Sequence, residues 1–179
     1  MPTRDRLLRA AADFLGRRPN ATQDEIAAAV GVSRATLHRH FSGRQALMAA
    51  LEDLAVAEMR DVLATVRLAD GPATDALRRL VSACQPVSPY LALLYSQSQD
   101  LDPDTTLDVW REIDDEIAAL FSRGQRDGDF RADLPAPWLT EAFYSLVTGT
   151  EWAIRTGRVG ARDFDRLIID LLLDGVTNS

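Results

Sequence analysis

The sequence has no lysine and very few cysteine or histidine residues. All 20 basic residues among its 179 are arginine, and there are only one cysteine and two histidines. Cys84 alone cannot form an internal disulfide, and with only His38 and His40 beside it no Cys/His metal cluster can be assembled. Zinc fingers and disulfide scaffolds are therefore excluded, and we expect no cofactor.

Long hydrophobic runs are also lacking. The uncharged stretch Val81–Gln99 contains two prolines, four serines and three glutamines, which makes it a poor membrane span. The segment Met1–Asn20 alternates arginine with leucine and alanine at helical spacing and lacks the continuous apolar stretch of a secretory signal. We therefore expect a cytoplasmic protein with no membrane partner.

The charge is unevenly distributed along the chain. Acidic residues outnumber basic ones by 27 to 20, for a formal net charge of −7, which by itself argues against a nucleic-acid partner. Residues 1–50, however, hold eight arginines against four acidic residues, a net of +4, whereas residues 51–179 hold twelve against twenty-three, a net of −11. The chain thus has a short basic head and a large acidic body.

Apolar residues make up 46% of the chain and recur at helical spacing nearly everywhere. No run of alternating β-branched residues predicts a strand, so the pattern predicts an all-α protein of about nine helices. The first helix is expected at about 4–17, and the second begins after a cap at Thr22. The third follows a cap at Ser33 and ends at about His40, and the fourth runs from 44 to about 68. The others are expected near 73–84, 90–99, 104–126, 137–155 and 161–174, separated by prolines and glycines.

Residues 22–41, TQDEIAAAVGVSRATLHRHF, have the spacing of a helix-turn-helix. Ala27 lets the two helices cross closely, Gly31 permits the turn, and Leu37 fills the small core between them. Thr22 with Glu25 fits a capping box at the start of the first helix. The residues of that helix expected to face inward are Ile26, Ala29 and Val30.

The second helix of this motif keeps a polar and basic outer face. Every charged side chain from Arg34 to Arg44 is basic, which an ordinary solvated helical hairpin does not explain. Arginine can donate to guanine O6 and N7, alanine can contact a thymine methyl, and hydroxyl or imidazole groups can hold phosphates. The side chains expected to face a DNA major groove are Arg34, Ala35, Thr36, His38 and Arg39.

The segment GVSRATLHRHFSGRQALMAAL, residues 31–51, resembles the DNA-binding signature of the TetR (tetracycline-repressor-like) family, and the similarity covers about residues 4–54. The resemblance implies that the helix Arg34–His40 is the recognition helix and that His38, at a position often occupied by tyrosine, contacts phosphate. It also places Thr22 and Arg44 against the DNA backbone. The predicted DNA-binding residues are then Thr22, Ser33, Arg34, Ala35, Thr36, His38, Arg39, His40 and Arg44.

The resemblance further implies two domains and a homodimer. Residues 1–45 would form a three-helix helix-turn-helix domain, and residues 46–179 a helical effector-binding and dimerisation domain, with helix 44–68 as connector.

The last helix is apolar on more than one side. In LIIDLLL, residues 167–173, six of seven residues are apolar, which is too wide an apolar stripe for a helix that covers a single core with one face. The helix near 137–155 has the same property. Pairing both helices with their copies would bury this surface, while a fully buried core helix in a monomer stays the alternative. The predicted interface residues are Phe143, Val147, Ile154, Phe164, Leu167, Ile168, Leu171 and Leu172.

An aromatic and weakly polar set in the body is the candidate pocket for a small-molecule effector, although aromatic residues at helical spacing are more often core packing than pocket lining. The set is Cys84, Tyr90, Tyr95, Ser98, Trp110, Phe121, Phe143 and Thr150. Cys84 by itself is most simply an inert small hydrophobe. The acidic cluster on the same stretch of sequence is expected to be a solvated helix face; its members are Asp108, Glu112, Asp114, Asp115 and Glu116.

These observations predict a DNA-binding transcriptional regulator, a repressor that binds a palindromic operator as a homodimer and is released by an effector. An enzyme is not expected, because the sequence has no nucleophile elbow, phosphate loop or metal-ligand spacing. The alternatives are a helical enzyme, or an interaction protein whose basic head binds another acidic partner.

Overall fold

The computed structural model describes residues 3–97 and 103–176, with the backbone alone at 97 and 103–109. Over these residues the chain forms nine α-helices and no strand, so the all-α prediction is confirmed. The helices are α1 (Arg4–Arg17), α2 (Gln23–Ala29), α3 (Arg34–His40), α4 (Arg44–Val66), α5 (Ala73–Cys84), α6 (Ser88–Gln97), α7 (Pro103–Asp127), α8 (Ala136–Arg155) and α9 (Phe164–Val176). A short 3-10 turn, Ala161–Asp163, leads into α9.

Local capping explains where the two short helices begin. Thr22 and Glu25 form the predicted capping box, in which the Glu25 N–H donates to Thr22 Oγ1 over 3.3 Å and the Thr22 N–H donates to Glu25 Oε2 over 2.8 Å. Ser33 caps α3, since its Oγ accepts a bond of 3.1 Å from the Thr36 N–H. Between the helices Gly31 has a φ of +75°, a conformation that favours glycine and closes the tight turn.

A small apolar core fixes the crossing of α2 and α3. Ile26 and Ala27 of α2 and Leu37 of α3 are all buried. Ala29, expected to face inward, is exposed, because the buried face of α2 is centred on Ile26 and Ala27, with Val30 half-buried at its edge. The motif is therefore held by the predicted residues except at Ala29.

The body is built around α4, which contacts α5, α6 and α7. Within it α8 packs against α6, α7 and α9, and the core contains large side chains that are at most 1% exposed. These are Met59, Phe121, Phe130, Phe143 and Phe164. Because α1 packs against both α2 and α6, the basic head is joined to the body through α1 as well as through α4.

Helix α6 begins at Ser88, two residues before the predicted start at Tyr90. The prediction took Pro89 as a break, but proline is tolerated in the first turn of a helix, where its missing N–H costs no hydrogen bond. A search of the described residues finds no helix with the length and apolar character needed to cross a membrane.

Candidate nucleic-acid interface

Helix α3 presents a basic face to solvent. Arg34 and His38 lie one turn apart, as do Ala35 and Arg39, and all four side chains are exposed. Leu37, on the other side of the helix, is fully buried in the core of the head. The packing therefore fixes the inner face of α3 and leaves its basic outer face accessible. A DNA major groove is wide enough to admit such a helix.

The Arg34 side chain is paired with a carboxylate on α2. Its Nη1 donates to Asp24 Oδ2 over 3.1 Å, and both side chains are more than 60% exposed, at 68% and 64%. Exposed pairs of this kind contribute about 0–1 kcal/mol in water. Arg34 can therefore exchange the carboxylate for a base edge or a phosphate at small cost.

The remaining predicted residues of α3 lie at the edges of this face. The Ser33 and Thr36 hydroxyl oxygens are 2.9 Å apart at the amino end of the helix, and Thr36 is half-buried. His40 is half-buried beside the Phe41 ring, with 6.3 Å between ring centroids. These positions flank the exposed arginines and histidine and suit contacts to the sugar-phosphate backbone.

Arg44 forms hydrogen bonds to the loop between α1 and α2. Its Nη1 donates to the carbonyl oxygen of Ala21 over 3.0 Å, and its Nη2 donates to the carbonyl oxygen of Pro19. Thr22, the other residue predicted to lie on the DNA backbone, uses its N–H and its hydroxyl in the capping box. Both residues thus have structural partners within the head, which the sequence pattern did not indicate for Arg44.

The residues predicted to line an effector pocket do not share one position in the fold. Cys84, Phe121 and Phe143 are fully buried core residues, and burial raises the pKa of the Cys84 thiol to about 12. A thiol with that pKa stays protonated at neutral pH, in line with an inert cysteine. Tyr90 is buried too, and its hydroxyl accepts a hydrogen bond of 3.4 Å from Arg9 Nη1.

The other predicted pocket residues lie nearer the surface. Tyr95 is exposed, and Trp110 is half-buried on α7. Thr150 is half-buried and lines a shallow groove on the outer side of α8 and α9. Ser98 lies outside the described residues.

The sequence analysis missed two polar contacts of α7. Trp110 Nε1 donates to Glu52 Oε1 on α4 over 3.3 Å, and one turn further along α7 Asp114 Oδ1 accepts a bond of 2.9 Å from the Tyr144 hydroxyl on α8. Desolvation raises the pKa of Asp114, and burial and the nearby Asp114 raise the pKa of Tyr144. The four-residue spacing of Trp110 and Asp114, which places both on one side of α7, was the one signal in the sequence that could have indicated these two contacts.

The expectation of a solvated acidic face is therefore corrected at Asp114. Glu112, Asp115 and Glu116 are exposed as expected, whereas Asp114 is half-buried because its side of α7 packs against α8. The side chain of Asp108 is outside the described part of the chain.

The predicted dimer interface divides into core and surface residues. Five members are at most 4% exposed and lie in the core of their own chain, because one side of α8 packs on α6 and α7 and one side of α9 packs on α5. They are Phe143, Val147, Phe164, Ile168 and Leu172. Leu171 is 63% exposed, and Ile154 and Leu167 are half-buried. Of the predicted residues, these last three are the ones accessible to a partner, and the interface itself stays a prediction.

Two large exposed side chains of α8 had not been assigned to this surface. Trp138 is 59% exposed and Trp152 is 53% exposed. Between them the same side of α8 carries small residues, and the groove beside α9 opens there. The groove is lined by Ser145, Leu146, Gly149, Thr150, Ala153, Val159 and Leu167.

Comparisons with known proteins agree with this geometry. The family model described as bacterial regulatory proteins, tetR family, matches residues 7–51, which hold the helix-turn-helix. The HTH-type transcriptional regulator NfxB of Pseudomonas aeruginosa is 34% identical over 176 residues, which cover 97% of this chain and 94% of that protein. The chain belongs to the tetR family.

Other members of the tetR family support the same conclusion. The HTH-type transcriptional repressor LfrR of Mycolicibacterium smegmatis is 30% identical over 94% of this chain and 88% of its own. A crystal structure of LfrR from Mycobacterium smegmatis in complex with proflavine superposes with a TM-score of 0.76 at 25% identity, covering 98% and 97% of the two chains. PfmR from Thermus thermophilus shares the fold, with a TM-score of 0.73 at 22% identity over the full length of both chains.

Membership of the tetR family decides between the functions that the sequence left open. The chain is a DNA-binding transcriptional regulator and not an enzyme. Regulators of this family bind operator DNA as homodimers and bind small-molecule effectors, so DNA, a second copy and an effector are its partners.

Proposed function

We propose that the protein is a cytoplasmic repressor that binds a palindromic operator as a homodimer and leaves it when a small molecule binds the body. The observation that carries this proposal is the exposed basic face of α3, fixed in place by the buried Leu37 on its inner side. Two such helices set about one helical turn apart recognise the two halves of a palindrome.

Within this proposal base recognition and backbone contact belong to different residues. Arg34, Ala35 and Arg39 lie on the exposed face of α3 and contact base edges. The residues around them hold the sugar-phosphate backbone and set the register of the head on the duplex. These are Thr22, Ser33, Thr36, His38, His40 and Arg44.

The proposed domain division keeps residues 1–45 as the DNA-binding domain and residues 46–179 as the effector and dimerisation domain. Helix α4 begins at Arg44, whose guanidinium binds carbonyl oxygens of the head, and runs into the core of the body through buried residues such as Met59. A displacement of α4 by an effector therefore moves the head, which couples the two sites.

The proposed dimer surface is the outer side of α8 and α9. On α8 the exposed and half-buried residues repeat at coiled-coil spacing, with small residues between two tryptophans, so that a second α8 can approach closely. On α9 Leu167 and Leu171, one turn apart, extend the apolar surface, with Ile154 at its edge. The α8 residues are Trp138, Ala142, Ser145, Gly149 and Trp152.

The proposed effector is a planar aromatic cation bound beside α7, between α4 and α8. Trp110 offers an aromatic face, and negative charge lies near it on Glu52, which accepts the indole N–H, and on the partly desolvated Asp114 one turn along α7. A cation would offset the cost of holding Asp114 ionised away from water. The complex of LfrR with proflavine, an aromatic cation, supports the same class of ligand.

The first test is selection of duplex DNA fragments by the purified protein, followed by a salt titration on the selected operator. A dimer that contacts several phosphates gives a palindromic consensus and an affinity whose logarithm falls linearly with the logarithm of salt concentration. Enrichment of no sequence, with weak binding that depends on charge alone, would favour the interaction protein whose basic head binds another acidic partner.

The second test adds proflavine to the protein–operator complex. We expect release of DNA, and about tenfold weaker proflavine binding for Asp114→Asn, since one charge contact of about 1.4 kcal/mol is lost. Asp115→Asn, at the exposed neighbour on the same helix, is the matched control. Equal proflavine affinity for both variants would remove Asp114 from the effector site.

A further inference from the structure

A half-buried ionic cluster lies at the carboxyl end of α8, away from the proposed DNA and effector sites. Arg155 Nη2 donates to Glu151 Oε1 over 3.1 Å, and both side chains are only 15% exposed. Glu151 Oε2 lies 3.0 Å from Ser88 Oγ, and Ser88, the first residue of α6, is fully buried. We call Ser88, Glu151 and Arg155 the α8 clasp.

The clasp reaches the basic head through α1. Gly16, in the last turn of α1, is buried, and a methyl group at this position would overlap the Arg155 guanidinium. Only glycine therefore lets the guanidinium lie against the carboxyl end of α1, where the partial negative charge of the helix terminus favours a cation. Since α1 packs on α2, this contact joins α8 to the helix-turn-helix.

The groove beside α9, which is part of the proposed dimer surface, lies on the opposite face of α8. Glu151 and Arg155 are one turn apart, whereas Ala153 lines the outer groove. Two residues along a helix correspond to a rotation of about 200°, so the clasp and the groove lie on opposite sides of one rigid rod. The same helix thus contacts the head through Arg155 on one side and would meet the partner subunit on the other.

We propose that Arg155 is a positioning residue that sets the angle of the DNA-binding head relative to α8. In the dimer this angle fixes the separation of the two recognition helices, and with it the half-site spacing that the protein accepts. A half-buried ion pair contributes little net stability compared with apolar packing but imposes a defined geometry. The inference rests on the proposed recognition of two half-sites by a dimer.

The test compares operators whose half-sites are separated by the selected spacing and by one base pair more or less. Wild-type protein prefers one spacing, because each base pair changes both the distance and the rotation between half-sites. In Arg155→Met the apolar stem stays and the guanidinium is lost, and we expect the preference to fall about tenfold. Affinity for non-specific DNA stays unchanged, since no DNA contact is altered. Arg158→Met, at an exposed residue beyond the end of α8, is the matched control.

A second variant displaces the guanidinium without removing it. Gly16→Ala places a methyl group against the flexible end of Arg155, and alanine is favoured over glycine within a helix. We expect the same loss of spacing preference as in Arg155→Met. The double variant, Gly16→Ala with Arg155→Met, should show the same spacing preference as Arg155→Met alone, because the methyl group then meets no guanidinium. Thermal unfolding of each variant verifies the fold, and Gly16→Ala decides the test if Arg155→Met does not fold.

The outcomes separate this inference from the proposed function. Folded variants that keep the wild-type spacing preference would overturn the role of Arg155 while leaving the dimeric repressor intact. A loss of affinity that is equal on cognate and non-specific DNA would also overturn it. If wild-type protein itself shows no spacing preference, the proposed dimeric recognition fails instead.

Discussion

Arginine supplies every permanently cationic side chain of the DNA-binding head, and its planar fork holds two acceptors at fixed angles. Arg39 is exposed at the centre of the α3 face, whereas Arg44 binds the carbonyl oxygens of Ala21 and Pro19 at the edge of the head. We therefore propose different roles for the two arginines, Arg39 in sequence recognition and Arg44 in both backbone contact and the shape of the α1–α2 loop.

Alanine substitutions should separate these roles. Arg39→Ala is expected to cost about 1–3 kcal/mol on the selected operator and to relax base preference at one position. Arg44→Ala should weaken binding to all sequences alike and also lower the unfolding temperature, because the loop carbonyls lose their donor. Fluorescence anisotropy on cognate and scrambled duplexes measures both, with Arg44→Lys as the variant that keeps only the charge. Equal losses on every duplex for both alanine variants would reject the division.

Asp114 has a pH-dependent effect on stability whose sign follows from its environment. Desolvation raises its pKa above the ordinary value, so the folded chain binds this proton more tightly than the unfolded chain. Its contribution is therefore most favourable at acidic pH and is lost as the pH rises through the raised value. Asp114→Asn should melt at a higher temperature than wild type at pH 7, and the difference should shrink in acid. Asp115→Asn, at an exposed carboxylate, should show no such trend; a constant difference for Asp114→Asn across pH would contradict the assignment.

At the scale of elements, α2, the turn and α3 act as one unit. The capping box of Thr22, the cap of Ser33 and the positive φ of Gly31 each fix a boundary locally. The burial of Leu37 then orients α3 so that its basic side is outside. Because these local preferences agree with the packing, the unit is well specified.

Replacing Gly31 tests the turn. Gly31→Ala should destabilise the protein by about 1–2 kcal/mol, since an L-residue with a side chain resists the left-handed conformation. A Cβ there meets no other atom within 4 Å, so the cost is conformational rather than steric. Gly31→Asn is the control and should cost less, because asparagine tolerates this region. Urea unfolding measures both, and equal stability of Gly31→Ala and wild type would refute the strain argument.

At the scale of the whole molecule, a basic head is attached to an acidic body through α1 and α4. Helix α8 serves two surfaces, with the clasp against α1 on one side and the groove of the proposed dimer surface on the other. Such a rod transmits the geometry of the dimer to the recognition helices without needing flexible parts.

Two substitutions test the proposed dimer surface. Leu171→Glu places a charge where the partner would remove it from water, and Gly149→Leu adds a bulky side chain at a position where a Cβ meets nothing within the subunit. Both variants should fold but sediment as monomers and bind operator far more weakly. Asp174→Asn, at an exposed residue of α9, is the control and should remain dimeric. A DNA-competent dimer for both variants would place the interface elsewhere.

The sequence by itself determined the helical class, most helix boundaries and the helix-turn-helix, because caps, turn glycines and helical spacing act over a few residues. The DNA face follows from the same signals, since Leu37 inside places Ala35 and Arg39, each two residues away, on the outside. Only the tertiary structure decided which apolar residues of α8 and α9 are core, where Phe143 is buried and Trp152 is exposed. A hydrophobic residue fits either a core or an interface, and periodicity does not distinguish the two.

The polar contacts between distant helices were likewise decided by the tertiary structure. The bond between Asp114 and Tyr144 and the approach of Arg155 to Gly16 join residues far apart in the chain. Whether such side chains meet depends on the crossing angle and rotation of whole helices, which the summed packing of the core sets and no local pattern encodes.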